Sequence, residues 1–101
     1  MFVAAPSAGE DFPLEFASAI ERGDPSAEDA FARHFGRRIF ALALARLRNE
    51  DLAHELAQEI LIASLVALRA GRLKEHSKLT GFVLATARNR IASHFRAEGR
   101  K

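Results

Sequence analysis

Apolar residues recur along this chain at intervals of three and four, the period of a helix, and nowhere alternate as they would in a half-buried strand. Four such runs stand out. In the first, Phe12, Phe16 and Ile20 are spaced by four and precede Gly23; Asp11 is placed to cap this helix, with Pro13 in its first turn, where a missing N–H costs nothing. Ser26, followed three residues later by Asp29, resembles a capping box and opens a long second helix to about Arg48. Its inward stripe is Phe31, Phe35, Ile39 and Leu42, widened by Phe40, Leu44 and Leu47. After a turn at Asn49, Glu50 and Asp51, a third helix carries Leu52, Leu56, Ile60, Ala63 and Ala67 inward and stops at Gly71. A polar loop from Gly71 to Ser77 leads to the fourth run, with Leu79, Val83, Ala87, Ile91 and Phe95 at intervals of four.

Each of these stripes can be hidden from water only against another, so the pattern predicts an all-α fold, a compact bundle of four helices. A chain of 101 residues suffices for one such core. We place the helical domain at residues 11–98, after a tail of small residues over 1–10 and before 99–101, a tail or the start of a linker. No apolar run approaches the roughly 20 residues needed to span a bilayer, and the first residues lack the basic start and apolar stretch of a secretory signal. Both features predict a cytoplasmic protein. The absence of cysteine removes disulfides, thiolate nucleophiles and cysteine-based zinc sites together.

Catalytic signatures are missing as well. His54-Glu55 begins like a zinc-protease motif, but Gln58 stands where the second imidazole would have to be. The four histidines, His34, His54, His76 and His94, lack metal-ligand spacing, and no glycine-rich phosphate loop follows a strand. The expectation is a binding module, not an enzyme, with no cofactor and no metal.

Charge changes the picture more than composition does. A net charge of +2 conceals blocks: residues 1–30 carry seven acids and one base, 31–48 five arginines and no acid, 49–66 four acids and no base, and 67–101 nine bases and two acids. Such segregation suggests one surface for a basic partner and another for a polyanion. On the third helix Asp51, Glu55, Gln58, Glu59, Ile62 and Val66 fall at helical spacing on the side away from Leu52 and its stripe, so an acidic face leads into an apolar patch. Whether Ile62 and Val66 instead tuck against the fourth helix is not decided by periodicity. Beyond Arg69 the sign reverses, with Arg72, Lys74, His76 and Lys78 in the loop and Arg88, Arg90, His94 and Arg96 on the last helix. Arg88, Asn89, Ser93 and Arg96 take the side opposite its apolar stripe. Arginine grips phosphate in bidentate fashion, and an amide such as Asn89 can both donate to and accept from a base edge.

The stretch Asp51-Leu52-Ala53-His54-Glu55-Leu56-Ala57-Gln58-Glu59-Ile60-Leu61-Ile62 resembles the D-L-V-Q-E-V-F-L signature in region 2 of bacterial sigma factors of the sigma-70 family, specifically the extracytoplasmic-function group. Gly23-Asp24 with Ala27, Phe31 and Phe35 resembles the opening segment of that region. Phe82-Val83 through Thr86-Ala87-Arg88-Asn89 to Arg96 resembles its W-L-x-x-I-A-R-N segment, so the likeness runs over residues 12–96.

The resemblance implies that the third helix docks on the basic coiled-coil clamp of the largest subunit of core RNA polymerase, through Asp51, Glu55, Gln58, Glu59 and Ile62. It implies that the loop from Gly71 to Lys78 captures an unstacked base of the non-template strand of the promoter minus-ten element, and that the last helix guides strand separation. By position the DNA contacts are Arg72, Lys74, His76, Lys78, Arg88, Asn89, Arg90, Ser93 and Arg96. The family's frequent tryptophans are replaced by Phe82 and Leu65, and its usual aspartate by Ser93; with no Trp or Tyr in the chain, any aromatic platform for a base must be phenylalanine. A second helical domain, which reads the minus-thirty-five element in this group, has no counterpart in the 101 residues. The alternative is a sigma-like interaction module that binds an anti-sigma factor without contacting DNA.

Overall fold

The computed structural model describes residues 14–99. Among them four α-helices and no strand occur: α1 (Leu14–Glu21), α2 (Pro25–Leu47), α3 (Glu50–Arg69) and α4 (Leu79–Gly99), with a single 3-10 turn at His76–Lys78 before the last. The all-α fold expected from the apolar period is the one observed. A radius of gyration of 13.8 Å is close to the roughly 13 Å of a compact domain of 100 residues. The proposed cap Asp11, together with Phe12 and Pro13, lies outside the described residues, as do both terminal tails apart from Gly99.

The helix boundaries follow from local chemistry. Gly23 adopts φ 82°, and the chain closes α1 with Gly23 N–H donating to the Ile20 carbonyl at 2.9 Å and Asp24 N–H to the Ala19 carbonyl at 3.0 Å, a Schellman motif. Gly71, at φ 72°, closes α3 in the same way, with bonds to Leu68 and from Arg72 to Ala67. The start of α2 corrects the sequence reading. Asp24, not Ser26, is the cap: its carboxylate accepts the Ser26 N–H at 2.9 Å, and Pro25 takes the first helical position. Proline has a fixed φ suited to that position and no N–H to satisfy, so the helix begins two residues earlier than a cap at Ser26 would allow.

The turn between α2 and α3 is also shorter than expected. Arg48 reverses the chain at φ 55°, Asn49 alone caps α3 by accepting the Leu52 N–H at 3.0 Å, and Glu50 and Asp51 already belong to its first turn. There both carboxylates meet the positive end of the helix dipole. So tight a connection makes α2 and α3 an antiparallel hairpin, the most extensive packing in the domain, with α4 against the other side of α3 and α1 closing the end.

The core holds Phe16 and Ile20 from α1, Phe31, Phe35 and Ile39 from α2, Leu56, Ile60 and Leu68 from α3, and Leu79, Val83, Ala87 and Ile91 from α4. Phe31 and Phe35 meet at a tilt of 48° with 4.9 Å between ring centroids, and such an aromatic pair adds about 0.5–1.5 kcal/mol to the burial of its rings. Three expected core positions shift. Leu42 is half-buried and Ala43 takes its place; on α3, Leu52 and Ala63 are half-buried while Ala53 and Ser64 go inward. Phe95 leaves the core altogether at 43% exposure. A spacing of four advances about 40° per step around a helix of 3.6 residues per turn, so a stripe that begins at Leu79 has rotated by about 160° when it reaches Phe95.

Candidate functional site

The middle of the hairpin sets the surface. Because α3 packs against α2 on one side and α4 on the other, its remaining side is a ridge facing solvent. Asp51, Glu55, Gln58 and Glu59 are exposed along that ridge, and Ile62 and Val66 continue it at 60% and 55% exposure. The fourth helix does not cover either one. Two large aliphatic side chains standing in water at the end of an acidic strip are the outstanding apolar feature of the described surface, and such patches mark contacts with partners.

Both flanks of the ridge are basic. Toward α4, a shallow depression floored by Ala63 and Ala67 is bordered by Glu59, Ile62 and Val66 and by Arg72 and Arg90. Arg72 and Arg90, expected on the polyanion surface, therefore adjoin Glu59 and Ile62, expected on the other, and the two surfaces meet in this depression. Toward α2, a groove carries Arg33, Arg37 and Arg38 on one wall and Gln58 and Leu61 on the other. Phe40 and His54 stack across it at 4.1 Å, nearly parallel. Sequence reasoning counted the α2 arginines but gave them no place; only the pairing of α2 with α3 shows that they line a groove beside Gln58.

On α4, Arg88, Asn89, Arg90, Ser93 and Arg96 are all exposed. Arg88, Asn89, Ser93 and Arg96 span an arc of about 140°, while Arg90 lies toward the α3 flank. Arg96 Nη2 donates to Ser93 Oγ at 2.9 Å, which orients its guanidinium along the helix. In the preceding loop Arg72, Lys74 and Lys78 are exposed, Lys78 pairing with Glu75 at 3.5 Å. His76 differs from its neighbours. It is half-buried against α1, with Nδ1 3.3 Å from Ser18 Oγ and Nε2 3.8 Å from Glu21. Leu73, one turn of loop earlier, is buried in the core. Leu73 and His76 fasten the loop at two points, and the charged residues between and around them remain outside.

Arg69, where the charge reversal begins, is held in place. It grips Glu28 of α2 with both Nε and Nη2, the Nε bond being 2.7 Å, and this hydrogen bonding, reinforced by the carboxylate's charge, raises the guanidinium pKa above its ordinary value. The bridge joins the end of α3 to the start of α2 and takes Arg69 out of the free basic set. No cluster of His, Asp or Glu suited to a metal ion occurs among the described residues, and none of their helices is long and apolar enough to cross a membrane.

The fold and its surface define an all-helical binding domain with an acidic, apolar-tipped ridge between two arginine-bearing flanks. The family model described as Sigma-70 region 2 matches residues 31–101, more than half of the chain, and the chain belongs to that family. Its role is that of a sigma factor in transcription initiation, in association with core RNA polymerase and promoter DNA, and the family is not one of enzymes. No curated protein and no solved structure matches the chain.

Proposed function

We propose that this chain is the region 2 domain of an extracytoplasmic-function sigma factor, acting in the cytoplasm, which docks on the clamp of the polymerase's largest subunit and opens the promoter minus-ten element. The observation that carries the docking half is the α3 ridge. Asp51, Glu55, Gln58 and Glu59 offer carboxylates and an amide to a basic partner, and Ile62 and Val66 supply apolar area at about 25 cal/mol per Å² removed from water.

The DNA half rests on the loop and α4. Arg72, Lys74 and Lys78 from the loop and Arg88, Arg90 and Arg96 from the helix present guanidinium and ammonium groups to phosphates, and Asn89 and Ser93 between them can hydrogen-bond a base edge. His76 serves from behind, holding the loop on α1 through Ser18 and Glu21. Strand opening in this scheme consumes no nucleotide: capture of unpaired bases by stacking, about 1–3 kcal/mol each, offsets the cost of unpairing them.

A pull-down with core polymerase tests the docking half. Glu59→Arg should abolish binding while leaving the helical circular dichroism unchanged; undiminished binding rejects the assignment. Fluorescence anisotropy with single-stranded non-template promoter DNA tests the other half, where sequence-dependent binding that falls steeply with salt is expected. Failure to bind DNA even beside core polymerase would favour an interaction module for an anti-sigma factor instead.

A further inference from the structure

The groove between α2 and α3 is positively charged, and of its three arginines two have no counter-charge among the described residues. Its lining includes Arg33, Arg37 and Arg38 and no carboxylate, and residues 31–48 contain no acid at all. Arg33 is paired within its own helix to Asp29, but Arg37 and Arg38 are exposed and form no ion pair among the described residues. The opposite wall is Gln58 and Leu61, and Gln58 also belongs to the acidic ridge. The groove and the ridge are thus one continuous surface, with a change of sign across it.

That continuity constrains the partner. A helix with its side chains is about 10–12 Å across, and packed helices lie about 8–10 Å apart, so an element seated along the α3 ridge overhangs the groove beside it. If that element were uniformly cationic, as Glu55 and Glu59 alone would suggest, it would bring its positive charge against Arg37 and Arg38, and like charges brought together at an interface are strongly unfavourable. We propose that the groove seats carboxylates of the same polymerase element that meets the ridge: the docking element carries Asp or Glu side chains along its α2-facing flank, next to the cations that face Glu55 and Glu59. Phosphate of a nucleic acid is the other chemistry that would suit the arginines. The groove lies on the far side of α3 from α4, however, and its Leu61 and Phe40 surfaces favour side-chain methylenes over ribose and phosphate.

This inference rests on the polymerase-docking reading, and the experiment separates the two. Binding of core polymerase is measured for Arg37→Glu, Arg37→Ala and Glu59→Arg, with circular dichroism as the folding control and single-stranded promoter DNA as a second ligand. The expected result is at least a tenfold loss of polymerase affinity for Arg37→Glu, a smaller loss for Arg37→Ala, and DNA affinity within about twofold of the parent, with helicity intact throughout. Loss by Glu59→Arg with both Arg37 variants unchanged overturns the groove and leaves the ridge standing. Loss by the Arg37 variants with Glu59→Arg unchanged would leave the groove as a polymerase contact but overturn the ridge, and with it the proposal that one element spans both. A drop in DNA affinity with polymerase binding preserved assigns the groove to nucleic acid and overturns the proposal.

Discussion

Ser64 lies in the middle of α3, fully buried between Ile60 and Leu68, and its hydroxyl has no hydrogen-bond partner among the described residues. Replacing it with alanine removes that group while keeping the Cβ. Three terms set the result. An unsatisfied buried polar group costs about 1–3 kcal/mol, and that cost disappears. Alanine is the better helix former by about half a kcal/mol. Against these, the departing oxygen leaves a void of roughly 10–15 Å³, about one water, which at about 24 cal/mol per Å³ costs only about 0.3 kcal/mol. The balance is a gain of about 1–3 kcal/mol. For a domain of this size each kcal/mol moves the midpoint by about 4–8 °C, so thermal unfolding followed at 222 nm should shift upward by at least several degrees, with a parallel rise in the urea midpoint at unchanged slope. Ser64→Val, which adds bulk at the same point, should lower the midpoint instead, because overpacking costs about 1–3 kcal/mol. A Ser64→Ala midpoint equal to or below the parent would mean that the hydroxyl makes a stabilising bond, and the reasoning from an orphaned group would fail.

Other substitutions probe the turn and the surface proposed to face DNA. Arg48 sits at φ 55°, a conformation costing about 1–2 kcal/mol for a residue with a Cβ, so Arg48→Gly should stabilise the domain by about 0.5–1 kcal/mol after glycine's larger unfolded-state entropy is subtracted, as read by urea denaturation. Arg96→Ala and Arg88→Ala should each weaken single-stranded promoter DNA binding and reduce the slope of log affinity against log salt by about 0.7, while leaving polymerase binding intact; a slope identical to the parent would place these side chains away from phosphate. Phe95 is the only described phenylalanine that is exposed, and if it offers its ring to a base, Phe95→Ala should lower DNA affinity roughly 5- to 150-fold, with Phe95→Tyr restoring it and Phe95→Leu not.

Much of the fold was legible because helical period and burial are nearly the same information in a small bundle. Phe16, Ile20, Phe31, Phe35, Ile39, Leu56, Ile60, Leu79, Val83, Ala87 and Ile91 were expected inside and are buried. The misplacements have common causes. Counting in strict fours accumulates rotation, which put Phe95 in the core on paper and near the surface in space, and hydropathy alone hides small inward residues such as Ala53 and Ser64 where helices approach closely. Ser26 and Asp29 have the spacing of a capping box, but Pro25 suits the first helical position and so makes Asp24 the cap. On the surface, the outward ridge of α3 could be read from spacing, since Asp51, Glu55, Gln58, Glu59, Ile62 and Val66 share one side of one helix. Whether Ile62 and Val66 were covered depended on where α4 packs, and the α2 groove depended on pairing residues some twenty positions apart. The anchoring of Leu73 and of His76 on α1 joins residues far apart in sequence and had no local signal.

The order of charge along the chain acquires meaning from the order of helices in space. Because α3 lies between α2 and α4, the basic, acidic and basic blocks of the sequence become three adjacent strips with a basic excess, and the acidic residues 1–30 bring the net charge of the chain down to +2. Neighbouring helices are about 8–10 Å apart, close to the Debye length of about 8 Å at physiological ionic strength, so each strip is felt separately by a partner at contact and blurs into its neighbours a few ångströms farther out. Long-range attraction to either polymerase or DNA is accordingly weak, while a docking element displaced by one helix width meets like charge in place of opposite charge. The pattern therefore favours correct seating over rapid capture. It also puts the proposed polymerase contact and the proposed DNA contact on either side of one shallow depression, where Glu59 and Ile62 meet Arg72 and Arg90, so a partner seated on the ridge would border those arginines directly.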